Sequence, residues 1–218
     1  MITYIIMVQN NNNNILNNYY LHFVRGNRKD NNEVTRRKNK KSIKLNNNYD
    51  KLFFNFLIIS NIELLNSNYN KNDEINIKYN FAQKMENMKI KKLDDVINNL
   101  CYEENINLKT LSALCQLFSK TMYYYCENIY LALNECETSN NLYIVKKDFS
   151  ISSIKEEKNN ALREMAYIIT NIDKPFYSIT RYKLDELKEI SNTIGLNNDG
   201  KKKDIYERIN QHLFNAIF

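Results

Sequence analysis

The sequence predicts a mainly α protein, and three observations carry that expectation. Apolar residues recur at steps of three and four from residue 93 to residue 136, the spacing of one helical face. The last 40 residues repeat that spacing twice around a turn marked by two of the three glycines in the chain. Residues 9–50, by contrast, are Asn-rich and basic with little apolar periodicity, which predicts a disordered Asn-rich N-terminal tail. Three segments follow: a mostly disordered tail over 1–85, a helical domain over 86–175 and a small helical hairpin over 176–218.

The opening MITYIIMV is too short for a membrane span and leads into an Asn run, so neither an anchor nor a secretory signal is expected. Arg36, Arg37, Lys38, Lys40 and Lys41 form a basic cluster of the nuclear-import kind, with Arg25, Arg28 and Lys29 upstream. Residues 1–50 hold nine basic and three acidic side chains, a balance of +6 equal to that of the whole 218-residue chain. The run 52–65 is apolar but broken by Asn55, Ser60, Asn61 and Glu63, and reads as an accessory strand, short helix or sticky patch. Met85 and Met88 mark where denser patterning begins, and either could be the start codon.

Leu93, Val96, Ile97 and Leu100 predict a short helix ending near Tyr102. Asn107 then stands in N-cap position before a single long helix, along which Leu111, Leu114, Phe118, Met122, Tyr125, Ile129, Leu133 and Cys136 step by three and four. Some 28 residues at ~1.5 Å each give a rod of about 42 Å. A second stripe of Leu117, Tyr124 and Leu131 calls for a partner on its other side. Phe118, Met122, Tyr125 and Ile129, at the centre of the rod, are the expected partner interface. The extended Leu142–Val145 follows, then a third helix from about 146 through 157 and a fourth over 161–172. Pro175, the sole proline, marks the border with the C-terminal hairpin.

In that hairpin Leu184, Leu187, Ile190 and Ile194 make one apolar face, and Gly195 stops the helix by taking a left-handed conformation. Asn197, Asn198, Asp199 and Gly200 are turn formers. Ile205, Ile209 and Leu213 then line a second helix from Lys201. Leu187-Lys188, Gly195-Leu196, Gly200-Lys201-Lys202, Asp204-Ile205 and Arg208-Ile209 stand in the order of the SAP family, and the stretch resembles that helix-turn-helix DNA-binding module. The resemblance implies weak, sequence-tolerant binding to DNA phosphates by Lys201, Lys202, Lys203 and Arg208, with the backbone at Gly200 and with Arg181 and Lys183 on the opposite lip. Seven basic against six acidic residues from 176 onward also predict a weak, salt-sensitive contact.

The order of elements over 89–157 resembles the histone fold, on Ile106-Asn107 before the long helix and Ile144, Asp148 and Phe149 after it. The tyrosines and the acidic balance of 86–175 are similar to histone-fold subunits of transcription-initiation complexes and to centromere protein X. That resemblance implies a heterodimer with a second histone-fold chain in the nucleus.

Chemistry is thinly supplied. Three glycines make no phosphate-binding loop, and His22 and His212 have no nucleophile or acid grouped with them. Cys101, Cys115, Cys126 and Cys136 are spread without a C-x-x-C pair, which predicts buried free thiols and neither a metal site nor a cofactor. The sequence is therefore read as a non-enzymatic nuclear DNA-binding or chromatin-binding subunit. An adaptor that docks an RNA-processing or protein-modification enzyme onto nucleic acid is the alternative.

Overall fold

A computed structural model describes residues 49–60, 69–137, 139 and 141–217. The architecture is α/β, which corrects the mainly α expectation. Among the described residues four helices, α1 (Lys51–Ile59), α2 (Lys71–Met85), α3 (Leu93–Tyr102) and α4 (Leu108–Leu117), precede a sheet. Its strands are β1 (Thr121–Cys126), β2 (Ile129–Asn134), β3 (Leu142–Val145), β4 (Ile151–Ile154) and β5 (Tyr167–Ile169). Helix α5 (Glu156–Met165) joins β4 to β5, and α6 (Leu184–Thr193) and α7 (Lys202–Ile217) close the chain.

The long helix is not there, and local backbone chemistry shows why. Asn107 does cap α4, its side chain accepting from Thr110 N at 2.9 Å. Just past the end of that helix Ser119 turns left-handed at φ 50°, and Lys120 N reaches back to Cys115 O at 2.9 Å. This six-to-one bond closes a helix in the way a glycine usually does. Tyr123, Tyr124 and Tyr125 then favour a pleated strand. Glu127 and Asn128, at φ 48° and 59°, form the two-residue left-handed turn that matches the twist of a β1–β2 hairpin. With the rod gone, the histone-fold-like domain goes too. The helix expected from about 146 through 157 is a turn followed by strand β4, with α5 beginning only at Glu156, and the one expected over 161–172 ends at Met165 before β5.

The sheet is mixed, in the order β4-β3-β1-β2-β5. β1 pairs antiparallel with β2 and parallel with β3, β3 antiparallel with β4, and β2 parallel with β5. To set β3 beside β1, the chain leaving β2 passes the start of β1. There the Thr121 hydroxyl donates to Cys136 O at 3.1 Å and accepts from Cys136 N at 3.0 Å, pinning the passage.

One sheet face, with Met122, Tyr124, Ile129, Leu131, Leu133 and Val145, merges into the main core. Helices α1 to α4 bring Phe53, Phe56, Leu57, Met85, Leu100, Leu111 and Leu114 to that core, and α6 and α7 bring Leu187, Ile205, Ile209 and Leu213. Each such side chain contributes roughly 1.5 to 3 kcal/mol when fully buried. Of the strand, short helix and sticky patch open to the apolar run, the structure takes the short helix and buries it in the core, and 71–85, expected to be tail, is a second helix there. Their hold is polar as well. Asp50 caps α1 through Phe53 N, and its carboxylate takes the Lys78 ammonium of α2 at 2.9 Å and Ile106 N at 2.6 Å.

The other face of the sheet is crossed by α5. Tyr130 is buried there, its hydroxyl donating to Asn159 Oδ1 of α5 at 3.1 Å and its ring stacked on Tyr123 at 5.4 Å. Burial raises the Tyr130 phenol to about 12.

Candidate nucleic-acid interface

The C-terminal hairpin is built from its seam outward. Leu187 on α6 and Ile194 at its C-terminal cap meet Ile205, Ile209 and Leu213 on α7, all buried. Gly195 ends the first helix at φ 74°, and Leu196 N returns to Ser191 O at 2.8 Å. Ser191, itself fully buried, donates its hydroxyl to Leu196 O and Asn197 O at 3.2 and 3.0 Å. Asn197 then folds the chain through a side-chain turn, accepting from Asp199 N at 2.7 Å. Gly200 follows at φ 116°, where a Cβ would come within 3.4 Å of Asp204 Oδ2.

The basic residues singled out from sequence divide into three roles. Lys201 and Lys203 are exposed and Lys202 is half-buried at the start of α7. Lys203 is balanced only loosely by Glu207, one turn on at 3.7 Å. Asp204 accepts from Lys201 N at 3.1 Å and so caps this helix from within. Arg208 is a brace: its Nη2 donates to Asn197 O at 3.0 Å and to Asp199 O, holding the turn closed from the second helix.

Arg181 and Lys183 sit before α6. The Arg181 guanidinium lies 3.9 Å over the Tyr177 ring, a cation held by the quadrupole of the ring. Lys183 N donates to Glu186 Oε2 at 2.6 Å, which fixes the entry to α6 and leaves the exposed ammonium outside. Tyr177 O in turn accepts from the Tyr206 hydroxyl at 2.9 Å, and Tyr206 lies one helical turn beyond Lys202 on α7. Phe176 stacks on Tyr182 at 4.6 Å and on Tyr206 at 5.1 Å. These rings tie Arg181 to the end of the hairpin that carries the three lysines. Spacing alone does not pick them out, although the cluster of Phe176, Tyr177, Arg181 and Tyr182 around Pro175 is their visible trace in the sequence.

The expected partner residues lie elsewhere. Met122 and Ile129 are fully buried in this chain's own core, Met122 against the Cys115 thiol at 3.7 Å. Phe118 is wedged between Phe56 and Phe81 at 5.7 and 4.9 Å. Tyr125 alone faces the other side of the sheet, its hydroxyl donating to Asn128 Oδ1 at 2.8 Å. The four residues thus form no common face, because a strand and its neighbour alternate sides where a helix would align them. The basic cluster of Arg36, Arg37, Lys38, Lys40 and Lys41 lies outside the described residues.

Among the described residues no group of three or more His, Cys, Asp or Glu could hold a metal ion, and no helix is long and apolar enough to cross a membrane. None of the four cysteines is in a disulfide; Cys115 and Cys126 are buried and Cys101 and Cys136 half-buried. Burial pushes the Cys115 thiol far up, so it stays protonated and unreactive. No family model, curated protein or solved structure matches this chain.

Proposed function

We propose that the protein is a non-enzymatic DNA-binding protein that contacts duplex phosphates through its C-terminal hairpin. The observation that carries the reading is the first turn of α7. There Lys201, Lys202 and Lys203 follow one another beside the open backbone at Gly200, with Arg181 tied to the same end through Tyr177 and Tyr206. Ammonium groups placed this way neutralise phosphates without reading base edges, so the contact is sequence-tolerant and falls steeply with salt. The SAP resemblance of the same residues points the same way. In this reading the protein works in the nucleus, with the 36–41 cluster as its import signal. Because the expected long helix is absent, a histone-fold partner is no part of it.

The test uses the full chain and a labelled 20-base-pair duplex. Replacing Lys201, Lys202 and Lys203 together with Glu is expected to abolish hairpin-dependent binding and leave the circular dichroism spectrum unchanged. It should also lower the slope of log K against log salt by about 1 for each phosphate that is no longer neutralised. Unchanged affinity and slope would remove these lysines as the binding surface.

A further inference from the structure

Helix α5 is too narrow to cover a five-stranded sheet, and it leaves a groove on each side. The two grooves differ in charge. One, of about 770 Å³, sets Lys155 and Arg163 against Glu156 and Glu157 and is balanced. The other, of about 680 Å³, is lined by Lys146, Lys147, Lys155 and Lys158 against the single carboxylate of Glu127. Glu127 is already committed to Lys147, with His212 Nε2 at 3.6 Å on its other oxygen. Lys146, Lys155 and Lys158 are exposed, and among the described residues no carboxylate pairs with them.

The floor of this basic groove is different in kind from its rim. Tyr125 of β1, Ile144 of β3 and Leu162 of α5 meet there, an aromatic ring and two aliphatic side chains below four ammonium groups. A space of this size holds one or two nucleotides and not a duplex. An apolar ring below and cations above are the elements by which proteins hold a single strand, with bases on rings and phosphates on lysines. An acidic peptide would use the rim but leave the floor unused.

The groove also adjoins the hairpin. Asn128, in the β1–β2 turn beside it, donates from Nδ2 to Thr193 O at the end of α6 at 3.0 Å. His212, on α7, meets Glu127 at the groove's edge. About ten residues of helix separate His212 from Lys202, a rise of about 15 Å.

We propose that this groove binds a single strand of nucleic acid, its phosphates on Lys146, Lys155 and Lys158 and a base against Tyr125. The proposal stands on the groove's own chemistry and does not rest on the hairpin reading, although the two together would suit a junction between duplex and single strand.

The probe is a 20-nucleotide oligothymidylate carrying 5-iodouracil, photocrosslinked to the full chain and mapped by mass spectrometry. The expected crosslink is at Tyr125. It should vanish in the Lys146→Glu/Lys158→Glu variant and persist in the Lys201→Glu/Lys202→Glu/Lys203→Glu variant, so failure of the groove and failure of the hairpin are read separately. Oligothymidylate affinity in the groove variant is expected to fall ten-fold or more, with a thermal melt unchanged because both lysines are exposed. A map without Tyr125, or a Tyr125 crosslink indifferent to Lys146 and Lys158, overturns the proposal. Polyglutamate that erases the crosslink as well as unlabelled oligothymidylate does, at equal charge, overturns it in favour of an acidic peptide.

Discussion

The Asp50 carboxylate and the Lys78 ammonium meet at 2.9 Å with both side chains almost wholly withdrawn from water. Glu74 completes the group, with Oε1 at 3.5 Å from Lys78 and 2.8 Å from Lys71, while its Oε2 accepts from Asp50 N at 2.9 Å. Tyr69 closes the far side with its hydroxyl 3.4 Å from Glu74 Oε2, and burial followed by that carboxylate drives the phenol's pKa well up. One residue, Asp50, thereby fastens the start of α1, the middle of α2 and the approach to α4.

Lys78→Met is expected to destabilise the fold by about 3 to 5 kcal/mol, because it leaves the buried Asp50 carboxylate without an ammonium and Glu74 with Lys71 alone. Asp50→Asn should cost less in charge, since Lys78 keeps Glu74. The double variant should be less damaged than the sum of the two singles, which a urea-denaturation cycle at neutral pH measures. Strict additivity would mean that the pair does not act as one unit.

Ile129 is fully buried at the start of β2, opposite Cys126. Ile129→Ala is therefore expected to cost about 2 to 5 kcal/mol in the chain's own stability, and Ile129→Asp to unfold it. A partner interface on a long helix makes a different demand: release of a second chain with the fold kept. Urea midpoint and sedimentation velocity on the same samples separate the two. A monomer that loses stability is the expected result, and a folded variant that sheds a partner would contradict the sheet.

Part of this is legible in the sequence, and the stretch from 118 to 136 is the most consequential part that is not. The Asn107 cap and the apolar faces of α3, α6 and α7 sit where spacing and turn chemistry put them, since each has one buried side and so one clear period. Between 118 and 136 both sides are covered, by the main core on one face and by α5 on the other. Met122, Tyr124 and Cys126, then Ile129, Leu131 and Leu133, alternate at two, yet Phe118, Met122, Tyr125 and Ile129 also step by three and four. A run buried on both faces satisfies both periods. The stop signal is a left-handed Ser119 where a glycine would have announced it, and the turn is Glu127-Asn128, an unremarkable pair in a chain so rich in Asn. The groove lysines escape notice because Lys146 and Lys147 meet Lys155 and Lys158 through a strand whose spacing also suits a helix.

Asp173 gives the fold an acid limb. Lys109 lies 3.0 Å from its Oδ1, and Lys91 and Lys92 lie at 3.8 Å, so the turn after β5 is tied to the starts of α3 and α4. The Lys109 hydrogen bond, then the charges of the three lysines, hold the carboxyl below its ordinary value. A depressed folded value means that the contribution is complete above the unfolded carboxylate pKa of about 3.9 and is lost as pH falls through the folded one. Asp173→Asn should flatten stability against pH below about pH 4 and lower it near neutrality by no more than about 1 kcal/mol, the group being partly solvated. Urea midpoints taken from pH 7 to pH 3 provide the check.

Arg208 separates bracing from phosphate binding within the hairpin. Its Nη2 alone donates to both Asn197 O and Asp199 O, two carbonyls of the turn, from a planar guanidinium whose fixed N–H directions a flexible lysine ammonium does not reproduce. Arg208→Lys and Arg208→Ala should therefore both loosen the turn, Ala by about 1 to 2 kcal/mol, as hydrogen bonds from a charged donor disappear. DNA affinity should fall in step with that loosening, with the slope of log K against log salt unchanged, because every phosphate keeps its cation. The lysine variants behave in the opposite way: Lys202→Gln, at the start of α7, keeps the melt and lowers the slope by about 1. A lowered slope in Arg208→Ala with an unchanged melt would instead put Arg208 on a phosphate and leave the turn to Ser191 and Asn197.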